Sequence, residues 1–219
     1  MRRAVICFTR VPRPGVTKTR LLPVLSPKQC AALHTAFLKD LARVYRELDA
    51  ALFVAYAPDP DWALLKDIFP MASAFFPQTG ESLGERMDAA ICHVLSMGFE
   101  RVILTGTDLP MMGRRHLESG FSALDLSDVV LGPTPDGSYY LVGAKAPCTA
   151  VFEEQQYGGG NVYENTVKAA ERAGLSLGQA LPCGDVDTPE DLRRLVLQAD
   201  PESHTGWFLA ALKKEGHLL

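Results

Sequence analysis

What this chain lacks narrows its reading first. No run approaches the ~20 apolar residues needed to cross a bilayer, so no membrane span is expected. The opening MRRAVICF starts basic, but its apolar run breaks at Thr9-Arg10, too early for a signal peptide, and it reads as a first strand. Five cysteines (Cys7, Cys30, Cys92, Cys148, Cys183) are odd in number and contain no C-x-x-C pair. That argues against a disulfide framework and a zinc site, and places the protein in a reducing cytosol. The histidines (His34, His93, His116, His204, His217) show no ligand spacing and read as ordinary surface or core residues. Glycine signatures for phosphate are missing too. RPGVTKTR has Pro12 and Thr17 where a Walker loop needs glycines, and no G-x-G-x-x-G occurs.

Acidic residues are absent from one region. Residues 1–39 hold eight Lys or Arg and no Asp or Glu, whereas the remainder carries 14 basic against 26 acidic side chains. A basic segment in a chain of net charge −4 argues against general nucleic-acid binding and for a local anion site. A solvated N-terminal segment is the alternative.

What is present is an ordinary globular composition with alternating elements. At 219 residues the chain can bury roughly 70–75% of its unfolded surface. Val5 to Phe8 reads as a strand, followed by a loop, Thr9 to Pro23, rich in cations and prolines. Ser26-Pro27-Lys28-Gln29 is a helix start with a capping-box spacing, and Leu33, Phe37, Leu41, Val44 and Leu48 continue the helical period. Further strands are expected at Leu52–Ala57, Ala72–Phe76 and Val102–Thr105. Helices are expected near Asp61–Phe69, Ser82–Met97 and Arg114–Leu124. Asp128–Leu131 and Ser138–Ala144 are close enough for a hairpin. A helix near Val162–Ala173, a weak strand near Gln179–Leu181 and a helix capped at Thr188 follow, with Asp191 completing the box. The reading is one α/β domain over 1–219, its last twenty residues a helical tail, with β and α alternating early and mixed pairing later.

Four places carry chemistry. The first is the loop with Arg10, Arg13, Lys18 and Arg20, whose mutual repulsion a polyanion would relieve. In RVILTGTDLP, Gly106 lets the backbone turn and Asp108 stands beyond the carboxyl end of a central strand with Thr105 and Thr107 nearby. Ligands bind there in open α/β sheets. Asp108 is either a cation ligand or the cap of the next helix. GDVDTPEDL places Asp185 and Asp187 at alternating positions, so in an extended segment only one of them can face a site shared with Asp108. Two carboxylates on separate loops above a cation cluster suit Mg²⁺ bridging nucleotide phosphates. Last, Asp136-Gly137 in GPTPDGSYYLVG signals a turn, and Tyr139 and Tyr140 would point to opposite faces, one core and one able to line a pocket.

FTRVPRPGVTKTRL, QTGESLGERM, GTDLP, LGPTPDGSYYLVG and DVDTPEDL occur in this order across nearly the whole chain. Together they resemble a family of small bacterial proteins with the nucleotide-diphospho-sugar transferase (glycosyltransferase A-type) fold, a three-layer α/β/α arrangement on a mostly parallel mixed sheet. KTRL and GTDLP also resemble the 2-phospho-L-lactate guanylyltransferases of the same fold. The resemblance implies metal ligands at Asp108 and Asp187, favouring Asp187 over Asp185, with Mg²⁺ or Mn²⁺ as the cation. It implies phosphate binding by Arg10, Lys18 and Arg20, and an approach to base or ribose at Gln78 and Leu83–Met87, with Thr107 beside them. Asp108, Lys18 and Arg20 would be the catalytic residues. Tyr157-Gly-Gly-Gly-Asn161 stands where the family has a Trp-Ser-Thr-like segment, and Ser138 replaces a usual glycine; an acceptor site would comprise Asp136, Tyr139 and Tyr157.

The implied activity is Mg²⁺-dependent glycosyl transfer from a nucleotide-activated donor to a small-molecule acceptor. A nucleotidyltransferase using a nucleoside triphosphate and a phosphorylated acceptor is the alternative, and an inactive nucleotide-binding module is the third.

Overall fold

Among the described residues, seven strands form one sheet in the order β3-β2-β1-β4-β6-β5-β7. The computed structural model describes residues 2–153, 155–158, 160–214 and 216; Gly159 and His217, both named above, lie outside them. The strands are β1 Arg3–Thr9, β2 Ala51–Tyr56, β3 Ala74–Pro77, β4 Arg101–Thr105, β5 Val129–Pro133, β6 Tyr139–Ala144 and β7 Leu177–Gln179. The helices are α1 Pro27–Arg46, α2 Leu64–Ile68, α3 Leu83–Ser96, α4 Arg114–Leu126, α5 Val162–Arg172, α6 Pro189–Gln198 and α7 His204–Lys214. No helix among the described residues is long and apolar enough to cross a membrane.

β1, β2, β3 and β4 run parallel, while β6 pairs antiparallel with both β4 and β5. The expected hairpin is therefore present, and β6 inserts between β4 and β5. β7 lies two residues earlier than expected. Its Gly178 weakens the strand signal, yet a Cβ there would meet Ser127 Oγ at 2.5 Å, so the sheet edge needs the glycine.

Both sheet faces are covered, which explains the near-continuous apolar strands. One face packs Val5, Cys7, Val54 and Ile103 against Leu38, Leu41 and Tyr45 of α1, Leu65 of α2, and Leu117 and Phe121 of α4. The other packs Ala4, Ile6, Val102 and Leu104 against Met87, Ile91 and Val94 of α3 and Ala170 of α5. α1 has a second buried side. Its Cys30, Leu33 and Phe37 pack against Leu192 and Leu195 of α6, Leu209 and Leu212 of α7, and Leu21 and Leu25 of the basic loop. The C-terminal tail thus adds a helical layer outside the expected three. Asp40 of α1 fixes it by accepting from the backbone N–H groups of His204 and Thr205 at 2.8 and 2.9 Å.

This topology places the site. α1, following β1, covers one face and α3, preceding β4, covers the other, so the chain winds in opposite senses from the adjacent strands β1 and β4. The crevice at their carboxyl ends is where doubly wound sheets bind ligands. The loop after β1 carries the cations, and the loop after β4 carries Asp108.

Candidate active site

The basic loop has almost no regular structure, a 3-10 turn at Thr19–Leu21 apart, and is held by side chains. Leu21 and Leu25 anchor its end in the α1–α6–α7 core. Arg13 ties its middle to the β2–α2 loop, contacting Asp59 at 3.2 Å and Asp61 at 3.0 Å. Arg13 is therefore committed to a structural latch, unlike the other three cations of the loop. Lys18 adopts φ 54°, ψ 37°, the only positive φ among the described non-glycine residues. That left-handed backbone costs a lysine roughly 1–2 kcal/mol. The turn sends the Lys18 side chain inward, where it is only 2% exposed.

The ammonium of Lys18 is the hub. It donates to Asp108 Oδ1 at 2.5 Å and to the Val186 carbonyl at 2.5 Å, lies 3.6 Å from Asp187 Oδ1, and sits 5.0 Å from the Phe37 ring centre. Arg20 Nη1 donates to Asp187 Oδ2 at 3.3 Å. The Val186 N–H donates to the Asp108 carbonyl at 2.9 Å, tying the β4 loop to the segment before α6. These three loops, distant in sequence, meet on one cation.

Charges in the cluster are strongly interdependent. Burial works against the Asp108 carboxylate, but the charges of Lys18 and His34 and hydrogen bonds from Lys18 and Asp187 outweigh it and hold its pKa below the usual range. Burial and the charge of Asp108 push Asp187 upward, against Lys18 and Arg20. Burial pushes Asp185 up to about 6, helped by Asp187, Asp136 and Asp108. His34, behind the cluster, has Nδ1 3.9 Å from Asp108 Oδ1 and Nε2 3.3 Å from the Arg10 carbonyl. Burial lowers its pKa, against the pull of the Asp108 carboxylate.

Asp108 does not cap the following helix. α4 starts at Arg114 with Gly113 as its cap residue, and the Gly113 N–H donates to the His116 ring at 2.9 Å. With that role taken, the Asp108 carboxylate, 40% exposed, faces the crevice. Asp108 and Asp187 lie within hydrogen-bonding reach of each other and already share a cation, the Lys18 ammonium. No group of three or more His, Cys, Asp or Glu suited to a metal occurs among the described residues. A closed zinc-type site is thus not built. Two carboxylates converging on one positive charge fit Mg²⁺, which completes its shell with water and substrate oxygens.

On the other side of Asp108 lies a cavity of about 180 Å³. Phe8, Leu104, Leu83 and Met87 form its apolar wall, with Gly106, Thr134, Tyr139, Tyr140 and Asp185 around the rest. Gly106 is not a turn glycine: its φ is not positive, and its N–H donates to the Tyr140 carbonyl, extending the ladder. A Cβ there would meet nothing within 4 Å, so the missing side chain leaves open space at the cavity floor.

The chain matches, over residues 40–159, the model of DUF2064, described as an uncharacterized protein conserved in bacteria. It belongs to that family. A candidate nucleotide-diphospho-sugar transferase of Desulfovibrio desulfuricans G20, known from a crystal structure, is 31% identical, and the match covers 100% of each chain with a TM-score of 0.88. A 2-phospho-L-lactate guanylyltransferase of Methanothermobacter thermautotrophicus is 26% identical over 201 residues, 90% of this chain and 85% of the relative. A phosphoenolpyruvate guanylyltransferase of Sphaerobacter thermophilus is 25% identical over 197 residues, 87% and 92% of the two chains. The fold is that of the nucleotide-diphospho-sugar transferases, and the relatives support a transferase that handles nucleotides.

Within this DUF2064 chain, Lys18, Arg20, Asp108 and Asp187 converge as a unit. Arg10 stands at the loop's exposed start, its Nη1 3.5 Å from the Val16 carbonyl. Gln78 is buried, and its Nε2 donates to the carbonyls of Thr9 and Ala55, so its amide nitrogen clamps strand ends together. Thr107 lines the cavity, whereas Thr105 is buried against Tyr45, with 2.7 Å between hydroxyls. Asp136 accepts from Thr134 Oγ1 and from the N–H and Oγ of Ser138, fixing its turn. Tyr139 and Tyr157 lie with hydroxyls 3.3 Å apart. Tyr157 packs so closely over Gly84 that a Cβ there would meet its ring at 3.1 Å.

Tyr139 and Tyr140 point to opposite sheet faces as expected, Tyr140 buried in the core on the α1 face and Tyr139 packed on the α3 face, and both border the cavity. Asp187 faces Lys18 and Arg20, whereas Asp185 lines the cavity, close enough for its carboxylate to feel the charges of Asp187 and Asp108. Sequence reasoning passed over His34. Its buried position on α1 gives no periodic signal that separates it from a core residue.

Proposed function

We propose that this protein is a nucleotidyltransferase. An acceptor oxygen attacks the α-phosphorus of a nucleoside triphosphate, the bond from that phosphorus to the bridging oxygen breaks, and pyrophosphate leaves. The observation that carries the reading is the opposition of Lys18 and Arg20 to the Asp108–Asp187 pair at the β1/β4 crevice. Two guanylyltransferase relatives spanning most of this chain support it further.

The pyrophosphate gathers negative charge as it departs, and Lys18, Arg20 and Arg10 neutralise it, a stabilisation greatest in the transition state. A phosphate gives Lys18 an alternative partner to Asp108, so the ammonium passes from carboxylate to substrate as the triphosphate binds. Asp108 and Asp187, relieved of it, would hold Mg²⁺, which supplies charge neutralisation at the phosphoryl oxygens. Asp136 and Tyr139 border the acceptor side with Tyr157 behind them.

Glycosyl transfer from a nucleotide sugar is the second reading, favoured by the description of the D. desulfuricans relative. Pyrophosphate release and calorimetric binding separate the two. Nucleotidyl transfer predicts Mg²⁺-dependent binding of a nucleoside triphosphate and pyrophosphate release with an acceptor. Binding confined to a sugar nucleotide would sink it in favour of glycosyl transfer. Nucleotide binding that survives Asp108→Asn, without turnover in either protein, would point to a binding module.

A further inference from the structure

The cavity beside Asp108 differs in charge from the cradle across it. Its polar lining comprises Thr107, Thr134 and the carboxylates of Asp108 and Asp185, and no Lys or Arg among the described residues lines it. Asp136 adds its field to that of Asp185. Aromatic surface comes from Phe8, Tyr139 and Tyr140. Lys18 and Arg20 are turned to Asp108 and Asp187. A second anionic group entering the cavity meets like charge with no counter-ion in its walls. A cation meets a carboxylate and aromatic rings, the pairing that recognises ammonium groups. The volume, about 180 Å³, is below the ~300 Å³ of the smaller drug-sized sites and limits the occupant to a few carbons.

We infer that the acceptor is a small phosphomonoester bearing a positively charged nitrogen, its phosphate toward Asp108 and its nitrogen in the acidic, aromatic cavity. This rests on the nucleotidyl-transfer reading and names the substrate class of the same site. It separates this chain from the two guanylyltransferase relatives, whose named acceptors carry a carboxylate beside the phosphate. Asp185 is the specificity residue: it lines the cavity, and a metal held by Asp108 and Asp187 would leave its charge to the acceptor.

The test begins with calorimetry of the four common nucleoside triphosphates, as non-hydrolysable analogues with Mg²⁺, on the full chain. If none binds, the nucleotidyl-transfer reading and this inference fall together, before any acceptor is added. The loaded protein is then titrated with phosphocholine, phosphoethanolamine, phosphoenolpyruvate and 2-phospho-L-lactate. The two phosphoamines are expected to bind about tenfold tighter than the phosphocarboxylates or better, with Asp185→Asn narrowing that ratio severalfold and leaving nucleotide affinity unchanged. Equal or tighter binding of the phosphocarboxylates overturns the inference, as does failure of either phosphoamine to bind. Weakened nucleotide binding in Asp185→Asn also overturns it, by assigning the cavity to the donor.

Discussion

The two sides of Asp108 are built by different means. On one side, three cations come from a proline-stiffened loop with little regular structure, held by Leu21, Leu25 and the Arg13 latch. On the other, aromatic and acidic residues come from the ends of β1, β4 and β6 and the loops beside them. The first wall is held by side-chain contacts; the second is the rigid wall, built on paired strands, and one carboxylate, Asp108, is shared between them.

The shared residue gives the largest expected effect. Asp108→Asn should lower turnover by roughly 10³-fold or more, since it removes the carboxylate that would hold the metal and orders Lys18. Steady-state pyrophosphate release measures it, and a loss below tenfold would place the chemistry elsewhere. Lys18→Met should cost about 10²–10³-fold in kcat. It should also strengthen Mn²⁺ binding without nucleotide, because the ammonium no longer occupies the carboxylate pair; electron paramagnetic resonance reads this directly. Unchanged Mn²⁺ affinity would remove Lys18 from between the two acids.

The rigid wall is sharpened through His116, whose ring accepts from the Gly113 N–H to cap α4 and stands edge-on to Tyr140. Burial pushes its pKa below the ordinary value of 6.5. A depressed folded-state pKa means that its stabilisation is present above pH 6.5 and is lost as pH falls through the folded value. His116→Ala should cost about 1 kcal/mol at pH 7.5 and flatten the fall in melting temperature below pH 6.5. An unchanged pH profile would deny the cap its neutral ring. The smallest effect is expected from Arg13→Ala, which opens two partly exposed ion pairs, to Asp59 and Asp61, together worth about 1 kcal/mol. Its signature is kinetic, a raised KM for nucleotide with kcat nearly intact. A matching fall in kcat would show that the latch also positions Lys18.

Much of the fold was legible because local signals agreed with the global arrangement. The Ser26–Gln29 and Thr188–Asp191 capping boxes form with the spacing the residues announce, and the continuous apolar strands find cover on both faces. β7 was misplaced by two residues because Gly178 carries no pattern, only a need for space against Ser127. Within the site, Asp108, Lys18, Arg20 and Asp187 could be picked out by residue type and motif. Asp185 stands out by the same spacing but ranks below Asp187, and His34 does not stand out at all, since a histidine on a buried helix face looks ordinary until neighbouring elements close around it.

The sequence by itself determined which residues bear charge, the order of strands and helices and that a basic loop follows the first strand, because these follow from local chemistry and periodicity. Tertiary structure alone decided that Arg13 is a latch while Lys18 is buried between two acids 90 and 169 positions away in the chain. It also decided that Asp185 turns toward a cavity shared with both tyrosines. The reason is physical. A side chain's partner is set by which loops the sheet order brings to one crevice, and strand order is a long-range property that no local pattern encodes.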